Sequence, residues 1–304
     1  MTTQRPPTID LCAALKWAGT PVRQSPWLHE EVARRMAERL NWIKLEPRVW
    51  AHWGPLQGGI GVHPQLAARY PESECYVVEA SANRLRFAYD LIAEPWWSHK
   101  RWFGAATRFE SPAEGAAEML WANMALHQSA DPQALIAQWH HALAVDGFLM
   151  FSCLGPDTLC ELRRLYAAMG WPPPSHEFTD MHDWGDMLVA AGFAEPVMDM
   201  ERITLTFETP QRLIEELRPL GRNLHPGRFG GLRGKAWLDQ LHNGLMRHLA
   251  NPTEQGRLTL TFEVIYGHAL KSRPRLNVRS ETTLSLDDMR RALRQGKAGL
   301  GGPA

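Results

Sequence analysis

The sequence predicts an α/β protein whose largely parallel sheet is covered by helices on both faces. Short apolar runs alternate with amphipathic helical patterns from residue 48 to residue 153. The segments between successive runs are long enough to hold a crossover helix, as parallel strands require. The length agrees, because 304 residues, 44% of them hydrophobic, suffice for one large α/β domain with insertions.

The first half of the chain carries the regular alternation. Five strands are predicted from short apolar runs, at 48–53, 75–79, 101–106, 118–122 and 147–153. Four helices are predicted from apolar spacing and start signals, at 28–40, 63–70, 83–91 and 131–144. In the first of these, Leu28, Val32 and Met36 repeat every fourth residue and form one apolar stripe. This order of strands and helices is typical of βαβ units.

The second half has a different pattern. Helices are predicted at 157–169 and 181–191, and long strands at 197–207 and 258–269, with only helical material between the two strands. We therefore expect these strands to close the sheet as an antiparallel pair. The predicted organisation is an extended N-terminal arm at 1–27 and a domain at 28–284 with inserted helices at about 156–192 and 209–256. A short helix starting at Ser285 and a disordered tail fill 285–304.

Composition excludes several classes of protein. Lys plus Arg equals Asp plus Glu at 33 each, so bulk charge predicts neither a nucleic-acid partner nor a membrane partner. No apolar run approaches the ~20 residues of a membrane span, and the first residues lack the apolar core of a secretory signal. The four cysteines are scattered, which favours a reducing cytoplasm over disulfides or zinc. We expect a cytoplasmic monomer.

Three segments carry a resemblance to a known family. They read FSCLGPDTLCEL at 151–162, FTDMHDWGDMLVAAGFAEPVMDMERITLTF at 178–207 and TFEVIYGHALK at 261–271. The chain resembles the malonyl-[acyl-carrier-protein] O-methyltransferases of biotin synthesis over roughly residues 28 to 270. The resemblance implies the class I methyltransferase fold, a Rossmann-like sheet of seven strands with the last strands antiparallel and with inserted lid helices. It also implies S-adenosylmethionine at the carboxyl ends of the first strands.

The predicted cofactor site lies at those carboxyl ends. Glu79 ends the second strand, where a carboxylate can accept hydrogen bonds from both hydroxyls of a ribose; the alternative is a surface Glu at a strand end. The candidate cofactor-binding residues lie in the turn after the first strand, at the end of the second and after the fourth: Trp53, Gly54, Gly58, Gly59, Glu79, Ala80 and Asn123.

The glycine-rich turn departs from the family pattern. The family's first strand typically ends in an acid followed by closely spaced glycines, whereas residues 49–61 contain no Asp or Glu and their glycines are spread out. The usual acid after the third strand is also missing. This degenerate turn leaves open a second hypothesis, a non-catalytic protein that keeps the fold but has lost cofactor turnover.

The chemistry of the implied reaction predicts no catalytic side chain. A carboxylate acceptor is already ionised at neutral pH, so its methylation needs alignment of donor and acceptor, not a strong general base. The acceptor implied by the resemblance is a malonyl thioester on acyl carrier protein or coenzyme A; a different small acceptor is a weaker alternative.

A basic segment at 218–235 contains no acid and is a candidate surface for an acidic carrier protein. Its cations are Arg218, Arg222, Arg228, Arg233 and Lys235. The alternative is a solvated loop paired with acids elsewhere.

A cluster of acids and histidines lies in the DMHDWGD segment. Asp180, His182, Asp183 and Asp186 could suggest a metal site. Acids in the first turn of a helix also favour its dipole, and Asp180 is positioned to cap the predicted helix. We therefore expect a helix cap here and no metal.

Overall fold

The strands of the computed structural model form one mixed sheet. The structure describes residues 9–22, 24–93 and 105–273, and contacts divide the chain after Ser272, so the following account concerns the unit up to that residue. Within those residues the strands are β1 Val49–Trp53, β2 Glu74–Val78, β3 Thr107–Arg108, β4 Ala117–Ala122, β5 Leu143–Leu154, β6 Phe193–Phe207 and β7 Leu258–Lys271.

The strand order is β3-β2-β1-β4-β5-β7-β6. Strands β3, β2, β1, β4 and β5 pair in parallel, whereas β7 lies antiparallel between β5 and β6. The predicted seven-stranded sheet with an antiparallel closure is therefore confirmed. Because the order reverses between β1 and β4, a crevice opens at the carboxyl ends of these two strands, where ligands bind in open α/β sheets.

Helices cover both faces of the sheet. In the described residues they are α1 Leu11–Ala18, α2 Trp27–Arg39, α3 Pro55–Gly58, α4 His63–Arg69, α5 Ala82–Ile92, α6 Pro132–Ala142, α7 Cys160–Ala168, α8 Met181–Ala190, α9 Pro210–Leu220 and α10 Lys235–His248. Neighbouring residues of β1 enter different cores, since side chains alternate along a strand. Trp50 packs in the core that includes α2 and α10, and Ala51 in the core of α6 and α8. Among these helices none is long and apolar enough to cross a bilayer.

Two expectations need correction. The arm expected to be extended contains α1, which Asp10 caps by accepting a hydrogen bond from the N–H of Ala13 at 2.9 Å. The third strand is shorter and later than predicted, at Thr107–Arg108, and residues 101–104 lie outside the described residues. The expected domain boundary at 284 and the helix start at Ser285 also lie outside them.

Candidate functional site

The turn after β1 lines the crevice and is fastened to the end of β2. Gly54 has φ +65°, a left-handed conformation that favours glycine, and its N–H donates to the carbonyl of Val78 at 2.7 Å. The N–H of Gly58 then donates to the carbonyl of Gly54 at 2.8 Å, which closes the single turn of α3. A Cβ at Gly54 would have no atom within 4 Å other than those of Gly54 and its chain neighbours Trp53 and Pro55.

Glu79 lies at the carboxyl end of β2, next to this turn. Its Oε1 accepts a hydrogen bond from the N–H of Leu56 at 2.9 Å, whereas its Oε2 is shielded from solvent and has no partner. Burial raises the pKa of the Glu79 carboxyl, and the nearby Arg84 acts in the opposite direction. Ala80 follows it and is exposed. An orphaned carboxylate oxygen at a strand end fits the hydroxyls of a ribose, so this half of the site suits a nucleoside.

The ring of Trp53 packs toward the core of α6 and α8. Its ring meets the ring of Trp139 edge to face, with centroids 6.3 Å apart. Trp139 is fully buried in the core beneath α6, so Trp53 faces that side of the sheet. Direct contact of Trp53 with the cofactor stays a prediction.

Asn123 holds the turn from inside the protein. Its side chain is 1% exposed, and its amide donates to the carbonyls of His29, at 2.9 Å, and Gly58. Its Oδ1 accepts from the hydroxyl of Ser152 at 2.5 Å. Both amide hydrogens and the carbonyl oxygen are engaged by protein groups. Asn123 therefore positions the turn, and its direct contact with the cofactor stays a prediction.

Close packing explains the spread glycines of the turn. A Cβ at Gly58 would lie 2.5 Å from the carbonyl oxygen of Asn123, so only glycine allows this approach. Gly59 has φ +108° and packs against α2, where a Cβ would lie 3.0 Å from the Cβ of Ala33. These two glycines serve the contact between the turn, α2 and the loop after β4.

A buried histidine pair occupies the end of β1, where the turn lacks an acid. His52 is fully buried, and its ring stacks on that of His63 with centroids 5.4 Å apart and their Nδ1 atoms 3.1 Å apart. Burial lowers the pKa of both rings, that of His63 to about 4. Both are neutral at pH 7, and the pair contributes no charge to the crevice.

Two glutamines connect the crevice to the inserted helices. The amide of Gln57 donates to the carbonyls of Pro219 and Leu220 at 3.1 Å each, at the end of α9. The amide of Gln128 donates to the same Leu220 carbonyl at 3.2 Å, and its Oε1 accepts from the indole of Trp17 at 2.5 Å. The inserted helix α9 and the N-terminal helix α1 are thus docked on the carboxyl edge of the sheet.

Comparison with known proteins identifies the family. No protein-family model matches the chain. Malonyl-[acyl-carrier protein] O-methyltransferase from Gallionella capsiferriformans is 38% identical over 260 residues, which cover 82% of this chain and 86% of that protein. The protein of the same name from Laribacter hongkongensis is 38% identical over 262 residues, 82% of this chain and 84% of that protein. The chain belongs to the malonyl-[acyl-carrier protein] O-methyltransferase family.

The fold of this family member also resembles a solved structure. The YcgJ protein from Bacillus subtilis superposes with a TM-score of 0.52 at 12% identity, covering 79% of this chain and 99% of that one. At that identity the likeness concerns the fold alone.

The basic segment of this family member is not one continuous surface. Arg228 forms an ion pair with Asp10 at 2.8 Å, and Arg233 lies against four aromatic rings, nearest that of Trp237 at 4.1 Å. Three cations remain exposed and have no carboxylate partner in the described part of the chain: Arg218, Arg222 and Lys235. The alternative of a loop paired with acids elsewhere therefore holds for Arg228. For the other four cations of the segment, binding of a carrier protein stays a prediction.

The acidic cluster of the DMHDWGD segment caps a helix. Asp180 is the N-cap of α8 and accepts a hydrogen bond from the N–H of His182 at 2.7 Å, as predicted. His182 is exposed, and its Nδ1 lies 2.8 Å from the same carboxylate. Within the described ranges, no group of three or more ligating side chains is arranged for a metal ion.

Several residues at the site were not predicted from the sequence. Gln57 and His29 are the clearest, because both are polar, buried and close to the turn. The Nδ1 of His29 bonds to the carbonyl of Gln57 at 2.7 Å, and burial lowers the pKa of this ring to about 4. His29 could have been noticed in the sequence, because a histidine among the apolar residues of α2 needs a buried hydrogen-bond partner.

Proposed function

We propose that the protein is an S-adenosylmethionine-dependent O-methyltransferase that esterifies the free carboxylate of a malonyl thioester on acyl carrier protein. The observation that carries the proposal is the 38% identity over 260 residues with a protein of that name. The resemblance in the FSCLGPDTLCEL and DMHDWGD segments supports the same reaction and its place in biotin synthesis.

The crevice beside Glu79 is the proposed cofactor site. Glu79 would accept the ribose hydroxyls with its unpartnered Oε2, and Gly54 and Ala80 would border the nucleoside. When bound, S-adenosylmethionine supplies an electrophilic methyl group on a positively charged sulfur. The acid-free turn means that the amino-acid end of the cofactor is held without a carboxylate from residues 49–61.

The remaining residues align the acceptor and exclude water. The acceptor carboxylate is ionised at neutral pH, so no proton has to be removed before its oxygen forms the new bond to carbon. As that bond forms, the carbon–sulfur bond breaks and its electron pair stays on sulfur. Gln57 and Gln128 hold the end of α9 at the carboxyl edge of the sheet, where it would help to orient the reactants and exclude water.

Methyl transfer to purified malonyl-acyl carrier protein tests the proposal. Mass spectrometry should find the acceptor one methyl group heavier after incubation with protein and S-adenosylmethionine. Acetyl-acyl carrier protein, which lacks the free carboxylate, should gain nothing. An unchanged malonyl acceptor, under conditions where another member of the family methylates it, would contradict the proposal and favour the non-catalytic alternative. At present the open space beside Gly54 and the enzyme names of the relatives support catalysis.

A further inference from the structure

A small cavity lies under the inserted helices at the carboxyl ends of β4 and β5. Its volume is about 140 Å³. Its base is apolar, formed by Leu154 at the end of β5, Leu162 of α7 and Phe262 of β7. Its upper wall is the end of α9 and the loop that follows it. The cavity therefore lies between the sheet and the inserted helices, near the turn that borders the proposed cofactor site.

Two buried polar atoms in the wall have no partner. Ser175 is 8% exposed and His176 is 5% exposed, and both line the cavity. The hydroxyl of Ser175 and the Nδ1 of His176 make no hydrogen bond, although His176 Nε2 donates to the carbonyl of His127 at 2.9 Å. Buried polar groups are normally satisfied, so two orphans in one cavity indicate a polar ligand.

The only charged group in the cavity wall, among the described residues, is a cation. Arg222 lines it, and no Asp or Glu does. Its guanidinium lies 5.1 Å from the ring centre of Trp17, and its NH1 donates to the carbonyls of Arg218, at 2.5 Å, and Gly221, at 3.0 Å. These contacts leave other guanidinium donors for an anion. A cation and a hydroxyl beside apolar walls suit a short acyl group that ends in a carboxylate.

The two polar walls are held together. Asn223 follows Arg222 in the chain, and its amide donates to the carbonyl of Pro173 at 2.7 Å. Pro173 lies just before Ser175, so this bond ties the loop of the hydroxyl to the loop of the guanidinium. The pair is thus positioned before any ligand arrives, which reduces the ordering cost of binding.

We propose that this cavity binds the free carboxylate of the acceptor through Arg222 and Ser175 and rejects its methyl ester. The inference rests on the proposed function and adds how the site recognises its substrate and releases its product. Methylation removes the negative charge of the carboxylate that Arg222 binds, so the methyl ester binds more weakly than the substrate. His176 takes no part in holding the carboxylate, because its Nε2 carries the proton donated to the carbonyl of His127 and its Nδ1 is therefore an acceptor.

Binding of malonyl-pantetheine and of its methyl ester tests this proposal. Both would be titrated into the protein with S-adenosylhomocysteine present, so that no turnover occurs. We expect wild type to prefer the carboxylate form by about tenfold or more, as a charged hydrogen bond provides. Arg222→Met should abolish the preference, Arg222→Lys should keep part of it, and Ser175→Ala should reduce it. Arg247→Met, an exposed cation on α10, is the matched control and should keep the full preference.

The outcomes separate this inference from the proposed function. The role of the cavity would be overturned if wild type bound acid and ester equally. It would also be overturned if Arg222→Met kept the full preference for the acid, even if the protein transfers methyl groups. A wild type that prefers the acid, loses that preference in Arg222→Met, yet methylates no malonyl thioester, would support the cavity and contradict the proposed reaction. Unchanged affinity of Arg222→Met for S-adenosylhomocysteine verifies that the variant is folded.

Discussion

The carboxylate of Glu79 accepts the backbone N–H of Leu56 at 2.9 Å and thereby joins the end of β2 to the turn after β1. One oxygen shapes the turn, and the other has no partner. The same side chain therefore positions the turn and keeps one buried acceptor without a partner next to it. A turn without an acid of its own thus has the carboxyl group of Glu79 beside it.

Replacing Asn123 by alanine should destabilise the protein by about 3 kcal/mol, because three buried partners lose their bonds. These are the carbonyls of His29 and Gly58 and the hydroxyl of Ser152. Urea unfolding measures the change, and Asn243→Ala on the exposed side of α10 is the control. A loss within about 0.5 kcal/mol, the usual effect of a surface change, would show that Asn123 does not hold the turn.

Alanine at Gly58 should cost more stability than alanine at Gly54. A Cβ at Gly58 would meet a backbone oxygen at 2.5 Å, so the turn must move away from Asn123. At Gly54 the Cβ has open space, and only the left-handed backbone opposes it, at about 1–2 kcal/mol. Gly170→Ala, with φ +64° and equally open space, should match Gly54→Ala in thermal unfolding. The reverse order would contradict the close packing inferred at Gly58.

Stability should fall as the pH is lowered from about 6.5 toward 4. Burial holds the pKa of His29 and His63 at about 4, below the value near 6.5 of an unfolded chain. Between these values the unfolded chain binds more protons, so acid favours unfolding. Each ring should cost about 2 kcal/mol between about pH 7.5 and about pH 5.

Urea unfolding at the two pH values measures this loss. His29→Gln should reduce the difference between them, whereas His248→Gln, at the exposed end of α10, should leave it unchanged. A difference that is the same in wild type and His29→Gln would show that this ring does not titrate as its burial requires.

Charge reversal at Arg218 and Lys235 should weaken the use of a carrier-bound acceptor. Both are exposed, and an acidic carrier would meet them before its thioester reaches the cavity. We expect Arg218→Glu with Lys235→Glu to raise KM for malonyl-acyl carrier protein about tenfold at low salt and less at high salt. Malonyl-pantetheine should be unaffected. An equal rise in KM for both acceptors would show that these residues act in the reaction site. No rise in KM for either acceptor would show that they do not bind the carrier protein.

Most of the sheet could be predicted because its strands are apolar runs bounded by turns. Strands β1, β2, β4 and β5 overlap the predicted segments, and the closing strands β6 and β7 are longer than predicted. The edge strand β3 has only two residues, too short for any period to show. Helix α1 was missed because Pro and Thr around it favoured an extended arm, although Asp10 before an apolar run is a cap signal.

A site residue could be predicted only where its position at the end of a strand determines its role. Glu79 follows a β-branched strand, so its place at the carboxyl edge could be read from the sequence. Asn123 follows a strand too, but its partners His29 and Ser152 are remote in sequence, and nothing local shows that it faces inward. The cavity of Ser175 and Arg222 likewise joins two distant loops, so only the folded chain reveals it.

Calorimetric titration with S-adenosylhomocysteine tests the central claim, that the crevice beside Glu79 is a working cofactor site. Wild type should bind with a Kd of about 1 μM, about −8 kcal/mol. Glu79→Ala should bind about tenfold or more weakly, because it loses both the turn contact and the charged acceptor. Glu72→Ala, exposed before β2, should match wild type. No heat with wild type, or equal affinity in Glu79→Ala, would contradict the account.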